Sequence, residues 1–539
     1  MPTNSIYGAN TMQSDTQKKT MLFALATSVS LSFYSLTMGD TLFVDCMGSG
    51  DYETLQDAVD NAVSGDTLKV LPCTYDVNNV LGSVDIHAKD LEIVGIDGRE
   101  ETTIEITGPF AIEISGGESP IVSLTGFTIQ GNSEFGSSSA VIQRSGRLTI
   151  DECTLRNNGS STENGGAIDA QSFDSLTIND TVFTNNEANN YGGAIYIDNG
   201  NSNALVQLSN TDFSGNNSSD IGGALYCKDA SILIRNSAFS NNKTFDVAGA
   251  FYYKSTELSQ AATLRNTSFT SNVADSDGGA TYLDEGPGSA TLIGCVFTSN
   301  WSRLAGTYGG ALQIYGIETN VTDCKFSLNS ADQSGAVDVY ESSAHFTDCV
   351  FKKNTAFLQG GAIGTEDSQV SISNSKFVKN ASDTYGLGGA IFALTSDIEM
   401  SNVRFIKNQA TQGGAFYANL CPNTKLSNCV FKKNAADVES TSPDLKNAGG
   451  AIFLKDLSFN LKGLKVQRNR TALSAGGIYL SNATGKIGKC TIEDNEHHGL
   501  QITGDGSSVE IQKTTSCQNG SKDVKGSYTD NGDNSICKD

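Results

Sequence analysis

The stretch Gly192-Gly193-Ala194-Ile195-Tyr196 decides the fold, because the chain returns to this pattern twelve times. The second Gly of the pair falls at positions 166, 193, 223, 249, 279, 310, 335, 361, 389, 414, 450 and 476. The copies are about 28 residues apart on average, and self-similarity at a period of about 20–50 residues is typical of a solenoid, a propeller or a repeat array.

A second signature, an aromatic residue followed three positions later by Asn, precedes almost every copy. It runs from Phe183 and Asn186 to Phe431 and Asn434, and fades in the last two copies. Asn tolerates left-handed backbone angles, and its amide can bond to the backbone of a turn. We therefore expect the Asn residues of successive repeats to align as a hydrogen-bonded ladder.

Each repeat holds short alternating apolar runs, such as residues 194–197 and 205–208, which favour strands of four to six residues. The period is too short for a propeller blade of about 40 residues. These features predict an all-β right-handed parallel β-helix of about 14 or 15 coils, about 70 Å long at the spacing of paired strands. Because side chains alternate along a strand, Ile195 and Ile197 are expected to point inward and Tyr196 outward.

The remaining segments suggest a domain plan around this array. Residues 1–39 are interpreted as a secretory signal peptide, with an uncleaved anchor as the alternative. Residues 40–80 form an N-terminal cap, in which Leu55, Ala58, Val59 and Ala62 share one helical face and Thr54 serves as the N-cap. Residues 81–159 are irregular early coils, 160–511 the regular repeats, and 512–539 a C-terminal cap or tail.

Ten of the twelve cysteines fall into two kinds. Cys46, Cys73, Cys517 and Cys537 lie near the two ends and are candidates for disulfides that staple the caps of an exported protein. The sequence leaves their connectivity open. Six others precede the aromatic of the second signature by two residues and are expected to be buried thiols. They are Cys153, Cys295, Cys324, Cys349, Cys429 and Cys490.

Charge narrows the range of partners. A formal net charge of −24 disfavours binding to nucleic acid or anionic membranes, which both require a cationic surface. Acidic polysaccharides would also be repelled, except at a local basic cleft. No spacing of Cys or His indicates a metal site, and no cofactor is predicted.

Two resemblances accompany these patterns. The N-terminal stretch Asp45-Cys46-Met47-Gly48-Ser49-Gly50-Asp51-Tyr52 with the following helix resembles the cap of the pectin-lyase-like β-helix superfamily. The paired Gly-Gly-Ala-aliphatic and Phe-x-x-Asn signatures over residues 160–500 resemble the repeats of the chlamydial polymorphic outer-membrane proteins. That resemblance implies an adhesive, secreted or cell-surface protein whose partners are glycans or other cell-surface molecules.

Candidate binding residues follow from the aromatic that succeeds each Gly-Gly-Ala-aliphatic. Tyr196, Tyr226, Tyr252 and Tyr282 occupy this position in four successive repeats and would form a platform for sugar rings, or alternatively would only stabilise strand pairing. Three corners before a Gly-Gly pair are unusually long and stand on one edge of the rod, which is often the binding side. They carry further candidates, namely Trp301, Tyr308 and Tyr385.

No catalytic residue is predicted. The motifs of methylesterases and pectate lyases are absent, and the His498-Gly499 pair, which resembles a feature of polygalacturonases and epimerases, is also common in ordinary coils. The sequence favours an exported, non-catalytic adhesion or surface-interaction protein that contacts glycans. The alternative is a polysaccharide-active lyase, hydrolase or epimerase.

Overall fold

The structure is a computed structural model that describes residues 39–77, 83–108, 110–117, 119–131, 139–160, 164–200, 204–383, 386–436 and 448–537. The segment interpreted as a signal peptide lies outside these residues, apart from Gly39. In the described part of the chain, no helix is both long and apolar enough to cross a membrane.

The described chain is a parallel β-solenoid, which confirms the predicted fold class. Each regular coil passes through four short strands, and each strand pairs in parallel with its counterpart in the next coil. Sheets 1, 2, 3 and 4 are named here in the order in which a coil visits them, starting from the strand after Gly-Gly. The solenoid has about 17 coils, somewhat more than the 14 or 15 expected.

Sheet 1 consists of Val84–His87, Ile112–Ser115, Val141–Gln143, Ile168–Ala170, Ile195–Asp198, Leu225–Lys228, Phe251–Lys254, Thr281–Asp284, Leu312–Tyr315, Val337–Tyr340, Ile363–Glu366, Ile391–Leu394, Phe416–Asn419, Ile452–Lys455, Ala475–Ser481, His498–Thr503 and Val524–Lys525. Sheet 2 consists of Thr41–Val44, Asp66–Val70, Leu91–Gly95, Ile121–Thr125, Arg147–Asp151, Ser175–Asn179, Leu205–Ser209, Ser231–Arg235, Ala261–Arg265, Ser289–Ile293, Glu318–Thr322, Ser343–Thr347, Gln369–Ser373, Asp397–Ser401, Thr424–Ser427, Ser458–Lys462, Thr484–Gly488, Ser508–Gln512 and Thr529–Asp530.

Sheet 3 consists of Cys73–Val77, Thr102–Ile106, Thr128–Gly131, Thr154–Arg156, Val182–Thr184, Asp212–Ser214, Ala238–Ser240, Ser268–Thr270, Val296–Thr298, Lys325–Ser327, Val350–Lys352, Lys376–Val378, Arg404–Ile406, Val430–Lys432, Lys465–Gln467, Thr491–Glu493, Thr515–Cys517 and Ser535–Ile536. Sheet 4 consists of Gly159–Ser160, Glu187–Ala188, Asn217–Ser218, Lys243–Thr244, Val273–Ala274, Trp301–Ser302, Ser330–Gln333, Thr355–Gln359, Ala381–Ser382, Gln409–Ala410, Ala435–Ala436 and Arg470–Thr471. Residues after Ile511 therefore continue sheets 1, 2 and 3.

The interior is one apolar core that extends from Val44 to Val524. Ile195 and Ile197 are fully buried in it, as their alternation with Tyr196 predicts. The ten Phe residues of the second signature stack in this core with ring centroids 4.5–5.0 Å apart.

The predicted Asn ladder is present. The side-chain amide of Asn242, for example, donates to the side-chain oxygen of Asn272 in the next coil at 3.0 Å and to the Phe213 carbonyl in the coil before at 3.1 Å. One detail of the expectation is wrong, because the left-handed residue is the one that precedes the ladder Asn. Asn241, with a φ of 54°, has this conformation, and Asn242 does not.

The second Gly of each pair is required by the close approach of neighbouring coils. Gly192 has a φ of 62°. A Cβ on Gly193 would lie 2.3 Å from the Gly223 carbonyl oxygen, so no larger residue fits the bend.

The N-terminal cap contains the helix α1 (Leu55–Asn61), whose residues Leu55, Ala58 and Val59 are buried. The Thr54 hydroxyl caps it by accepting from the Asp57 amide at 3.1 Å. Both expectations for this segment are confirmed.

The cysteines also behave as expected. Cys46 is bonded to Cys73 and Cys517 to Cys537, so each disulfide lies at one end of the described solenoid. The six thiols that precede the aromatic of the second signature are free and buried in the core.

Candidate functional site

The outward face of sheet 1 carries one residue per coil immediately after Gly-Gly-Ala-aliphatic, and we call this row the outer column. Its members from the coil of Ile168 onward are Asp169, Tyr196, Tyr226, Tyr252, Tyr282, Gln313, Asp338, Gly364, Phe392, Tyr417, Phe453 and Tyr479. Aromatic rings fill two stretches of four coils, and three coils between them lack a ring.

In the first filled stretch the rings stack on one another outside the main core. The centroid distances along Tyr196, Tyr226, Tyr252 and Tyr282 are 5.1, 4.9 and 5.9 Å. Tyr226 is only 8% exposed, because neighbouring rings cover both of its faces. The outward direction is as expected, but the ring edges rather than the ring faces border solvent.

Where the rings are missing, the outer column opens into a cleft of about 360 Å³. Tyr282 closes one end and Phe392 the other, and the floor is formed by Gln313, Asp338 and Gly364. These five residues are direct register partners in successive coils. The cleft is thus the volume that rings occupy elsewhere in the column.

Two walls flank the floor. On one side are Tyr315, Tyr340 and Glu366, which end three sheet 1 strands, and the first two rings stack at 5.6 Å. On the other side lie Asp277, Tyr308 and Gln359, which directly precede a Gly-Gly pair, and Ser334, which occupies the first Gly position of its coil. The lining therefore combines aromatic rings with carboxyl and amide groups and includes no Lys, Arg or His among the described residues.

Asp338 is the polar centre of the floor. One of its carboxyl oxygens accepts from the Ser334 hydroxyl at 2.5 Å, and the other accepts from the Gln313 amide nitrogen at 2.8 Å. Gly364 makes this contact possible, because a Cβ there would lie 1.9 Å from the Ser334 hydroxyl oxygen. The side chain is held in one orientation from both sides.

Two carboxyl groups of the cleft have raised pKa values. Burial raises the pKa of Asp338 to about 7, although its bonds to Ser334 and Gln313 oppose the shift. Burial likewise raises the pKa of Asp277 to about 6, against the lowering effect of the Tyr308 amide, which donates to it at 2.7 Å. Each can therefore change its protonation state near neutral pH.

One acceptor on the cleft floor is left without a partner. The side-chain oxygen of Gln313 is buried and has no hydrogen bond within the described residues. A buried acceptor of this kind costs about 1–3 kcal/mol if it stays unpaired. A ligand hydroxyl or a water molecule in the cleft would satisfy it.

The predicted binding residues are only partly brought together. Tyr282 and Tyr308 line the cleft, whereas Tyr196, Tyr226 and Tyr252 lie in the filled stretch. Trp301 lies on sheet 4, is 45% exposed and takes no part in the cleft. Tyr385 falls outside the described residues. The ligand-binding role of these residues remains a prediction.

Sequence reasoning missed the centre of the site. In the sequence, Gln313, Asp338 and Gly364 interrupt the column of aromatic residues. Such an interruption matches no known motif and therefore did not indicate a site. Asp277 and Tyr315 reach the cleft only because coils stack in register, which brings together residues about 60 positions apart along the chain.

Metal ligation and the His498-Gly499 pair were also considered in the sequence. Among the described residues, no group of three His, Cys, Asp or Glu side chains could hold a metal ion. His498 lies on the sheet 1 strand His498–Thr503, where burial lowers its pKa and its Nδ1 accepts from the Lys522 amide at 3.2 Å.

Comparison with known proteins identifies the fold family. The profile of the right handed β-helix region matches residues 110–316 and 285–470. No curated protein matches the chain.

Several solved structures match the chain at low sequence identity. A pectin methylesterase from carrot is 13% identical, covers 58% of this chain and 84% of its own, and has a TM-score of 0.23. The A-module of an Azotobacter vinelandii mannuronan C-5 epimerase is 12% identical over 89% of this chain and 92% of its own, with a TM-score of 0.24. A PL6-family alginate lyase is 9% identical over 91% of this chain and all of its own, with a TM-score of 0.26. At these identities and TM-scores the likeness assigns no activity to this chain.

Proposed function

Because the chain belongs to the right-handed β-helix family, whose coils present long outward faces, we propose that it is an exported, non-catalytic surface-interaction protein that binds a glycan in the cleft of the outer column. The observation that carries this proposal is the lining of the cleft. Aromatic rings at both ends and along one wall match the apolar faces of sugar rings, and carboxyl and amide groups on the floor match their hydroxyls.

The charge of the lining narrows the ligand class. Asp277, Asp338 and Glu366 face the cleft, and its described lining residues include no Lys, Arg or His. A uronate or sulfated sugar would be repelled, so the ligand is a neutral or amino-substituted saccharide. The volume of about 360 Å³ lies at the lower end of the range of about 300–1,000 Å³ for small-ligand sites. A short segment of a glycan chain fits this size.

Export and adhesion have independent support. Two disulfides stabilise the ends of the described solenoid, and disulfides persist in oxidising, extracellular environments. The resemblance of the repeats to those of adhesive polymorphic outer-membrane proteins favours the same role. A rigid solenoid presents its binding groups already ordered, which reduces the entropy lost on binding.

The proposal can be tested by filling the cleft. Coil 334–338 reads Ser-Gly-Ala-Val-Asp where a filled coil reads Gly-Gly-Ala-Ile-Tyr. The double variant Ser334→Gly with Asp338→Tyr converts it to the filled type. We expect the variant to fold and to lose binding to neutral oligosaccharides, measured by glycan array and titration calorimetry.

The matched control is Asp169→Tyr, which adds a ring at the same register outside the cleft and should leave binding unchanged. Glycan binding that persists at wild-type affinity in a folded Ser334→Gly, Asp338→Tyr variant would remove the cleft from consideration.

A second candidate function, hydrolysis of a neutral polysaccharide, rests on the raised pKa values of Asp277 and Asp338. A carboxylic acid that keeps its proton near neutral pH can donate it to a glycosidic oxygen, while a second carboxylate accepts a proton from the attacking water. Release of reducing ends by the wild type, lost in both Asp338→Asn and Asp277→Asn, would favour this enzyme over the non-catalytic protein.

A further inference from the structure

The positive charge of this acidic chain is concentrated in one part of the solenoid. Residues 350–489 hold 17 of the 36 Lys and Arg residues but only 9 of the 60 Asp and Glu residues. This segment therefore has a net charge of +8 within a chain of −24. Charge asymmetry of this size marks a surface for an anionic partner.

Five of these cations form a row on the rod, which we call the cation ladder. Each directly precedes a member of the Asn ladder at the end of a sheet 3 strand. The five are Lys353, Lys379, Lys407, Lys433 and Arg468. Successive backbones are held by the Asn amides, with Asn380 bonded to Asn408 and Asn408 to Asn434 at 3.0 Å. The cations are thus spaced by about 4.8 Å along the rod, the distance between paired strands.

The backbone at these positions does not favour Lys. All five residues have φ between 56° and 58°, a left-handed conformation that suits Gly and Asn. The early coils place Asn157, Asn185, Gly215 and Asn241 at the same register, and the next three coils place Ser271, Ser299 and Leu328 there. The register thus accepts several residue types, and a cation in each of five consecutive coils is what distinguishes this part of the solenoid.

The four lysines are exposed, and none has an ion pair within the part of the chain that the structure describes. Arg468 is different, because it lies 3.4 Å from Asp494 in the next coil. The row of uncompensated charge therefore ends where acidic side chains begin.

A groove of about 690 Å³ runs beside the ladder. Lys379, Lys407, Lys433 and Arg468 line one side, and Asp494 and Glu496 lie at its end. The rest of the lining is polar or small and contains no aromatic ring. Its members are Asn380, Ala381, Asn408, Gln409, Ala435, Asn469 and Arg470.

We propose that the cation ladder and its groove bind a linear anionic polysaccharide that lies parallel to the rod axis. One carboxylate or sulfate per sugar recurs at a spacing comparable to the coil spacing of about 4.8 Å, so several lysines can be engaged at once. Among the residues that the structure describes, the groove lining has no aromatic ring, which argues against single-stranded nucleic acid, whose bases require stacking platforms. This surface lies outside the cleft of the outer column and does not depend on the function proposed for it.

The experiment replaces Lys353, Lys379, Lys407 and Lys433 together by Asn, the residue that earlier coils use at this register. The variant should fold as well as the wild type, because Asn suits the left-handed backbone. Binding to oligogalacturonate and to a sulfated heparin oligosaccharide is measured by titration at several salt concentrations, with dextran as the uncharged control. We expect the affinity of the variant for the anionic probe that binds to fall about tenfold or more. The slope of log K against log salt should also become less steep by about 3, because four lost contacts each contribute about 0.7.

Two further arms make the result decisive. Replacing the same four lysines by Arg keeps the charge and should retain the affinity, and the cleft variant Ser334→Gly, Asp338→Tyr should bind both anionic probes as the wild type does. Equal affinity for a single-stranded DNA oligonucleotide would overturn the assignment to a polysaccharide. Unchanged binding of both anionic probes in the Lys→Asn variant would overturn the ladder itself.

Discussion

The coils of Tyr226 and Asp338 lie four apart on the same face and show how this solenoid separates folding from function. Both have Gly at the second position of the bend, buried inward residues on sheet 1 and a ladder Asn that donates to a Phe carbonyl in the coil before. On the outward face they differ in the column residue, which is a stacked ring at 226 and a buried carboxyl at 338, and Ser334 replaces the first Gly of the pair beside that carboxyl. The comparison shows that the inward residues determine the conformation of a coil. The residue in the outer column can be an aromatic ring or a smaller side chain without changing that conformation.

The basic segment of residues 350–489 follows the same rule at another edge of the solenoid. The residue before each ladder Asn is Asn or Gly in several early coils and Lys or Arg in five later ones, with the same left-handed backbone. Inward positions tolerate little variation because each side chain packs against the coils above and below. Outward positions are in contact with solvent or with a binding partner rather than with the core. The residue type there can therefore differ from coil to coil.

The largest expected effect is the loss of stability when a core Phe is removed, and it tests whether the core is equally well packed in the two coils. Phe239 belongs to the coil of Tyr226 and Phe351 to that of Asp338, and both are fully buried in the Phe stack. Replacing either by Ala should lower the free energy of unfolding by about 3–5 kcal/mol, as expected for large core residues. Urea denaturation followed by circular dichroism measures both variants, and a much smaller cost at Phe351 would mean that the cleft loosens the interior below it.

The next largest effect is the pH dependence of stability that we expect from Asp338, the carboxyl group that occupies a ring position of the outer column. Because burial raises the pKa of Asp338 to about 7, the folded state binds its proton more tightly than the unfolded state, whose Asp has a pKa of about 3.9. This contribution makes the protein less stable as pH rises from about 4 to about 7. Asp338→Asn should therefore raise stability at pH 8 on the order of 1–4 kcal/mol and have little effect at pH 4.

The control for that prediction is Asp169→Asn, at the same register of the outer column. Asp169 accepts from the Arg144 guanidinium at 2.7 Å, so its replacement should lower stability at pH 8 by about 1–3 kcal/mol. Thermal unfolding at pH 4, 6 and 8 compares the two variants. A stabilisation of equal size in both, or a loss at pH 8 in Asp338→Asn, would contradict the assignment of a raised pKa to Asp338.

The sequence predicted the fold well because each inward feature repeats at every coil. The period, the Gly bend at Gly192 and Gly193, the Asn ladder and the cap helix are local patterns with direct physical causes. The cleft was not predicted, because it depends on what is missing from three coils and on the burial that raises the pKa of Asp338. The sequence also did not predict that stacking on Tyr196 and Tyr252 covers the ring faces of Tyr226. The alternation of side chains along a strand indicates only that the ring points outward.

The smallest expected effect separates a structural ring from a binding ring. Tyr226 stacks on Tyr196 and Tyr252 at 5.1 and 4.9 Å, so Tyr226→Ser should lower stability by about 1–2 kcal/mol and leave glycan affinity unchanged. Tyr315 stands in the cleft wall with one stacking neighbour, so Tyr315→Ser should cost less stability but weaken the binding of a neutral saccharide by about tenfold, the equivalent of one lost aromatic contact of about 1.4 kcal/mol. Titration calorimetry measures the glycan affinity of both variants, and thermal unfolding measures their stability. If Tyr226→Ser loses the binding and Tyr315→Ser keeps it, the stacked tyrosines rather than the open stretch of the column contact the ligand.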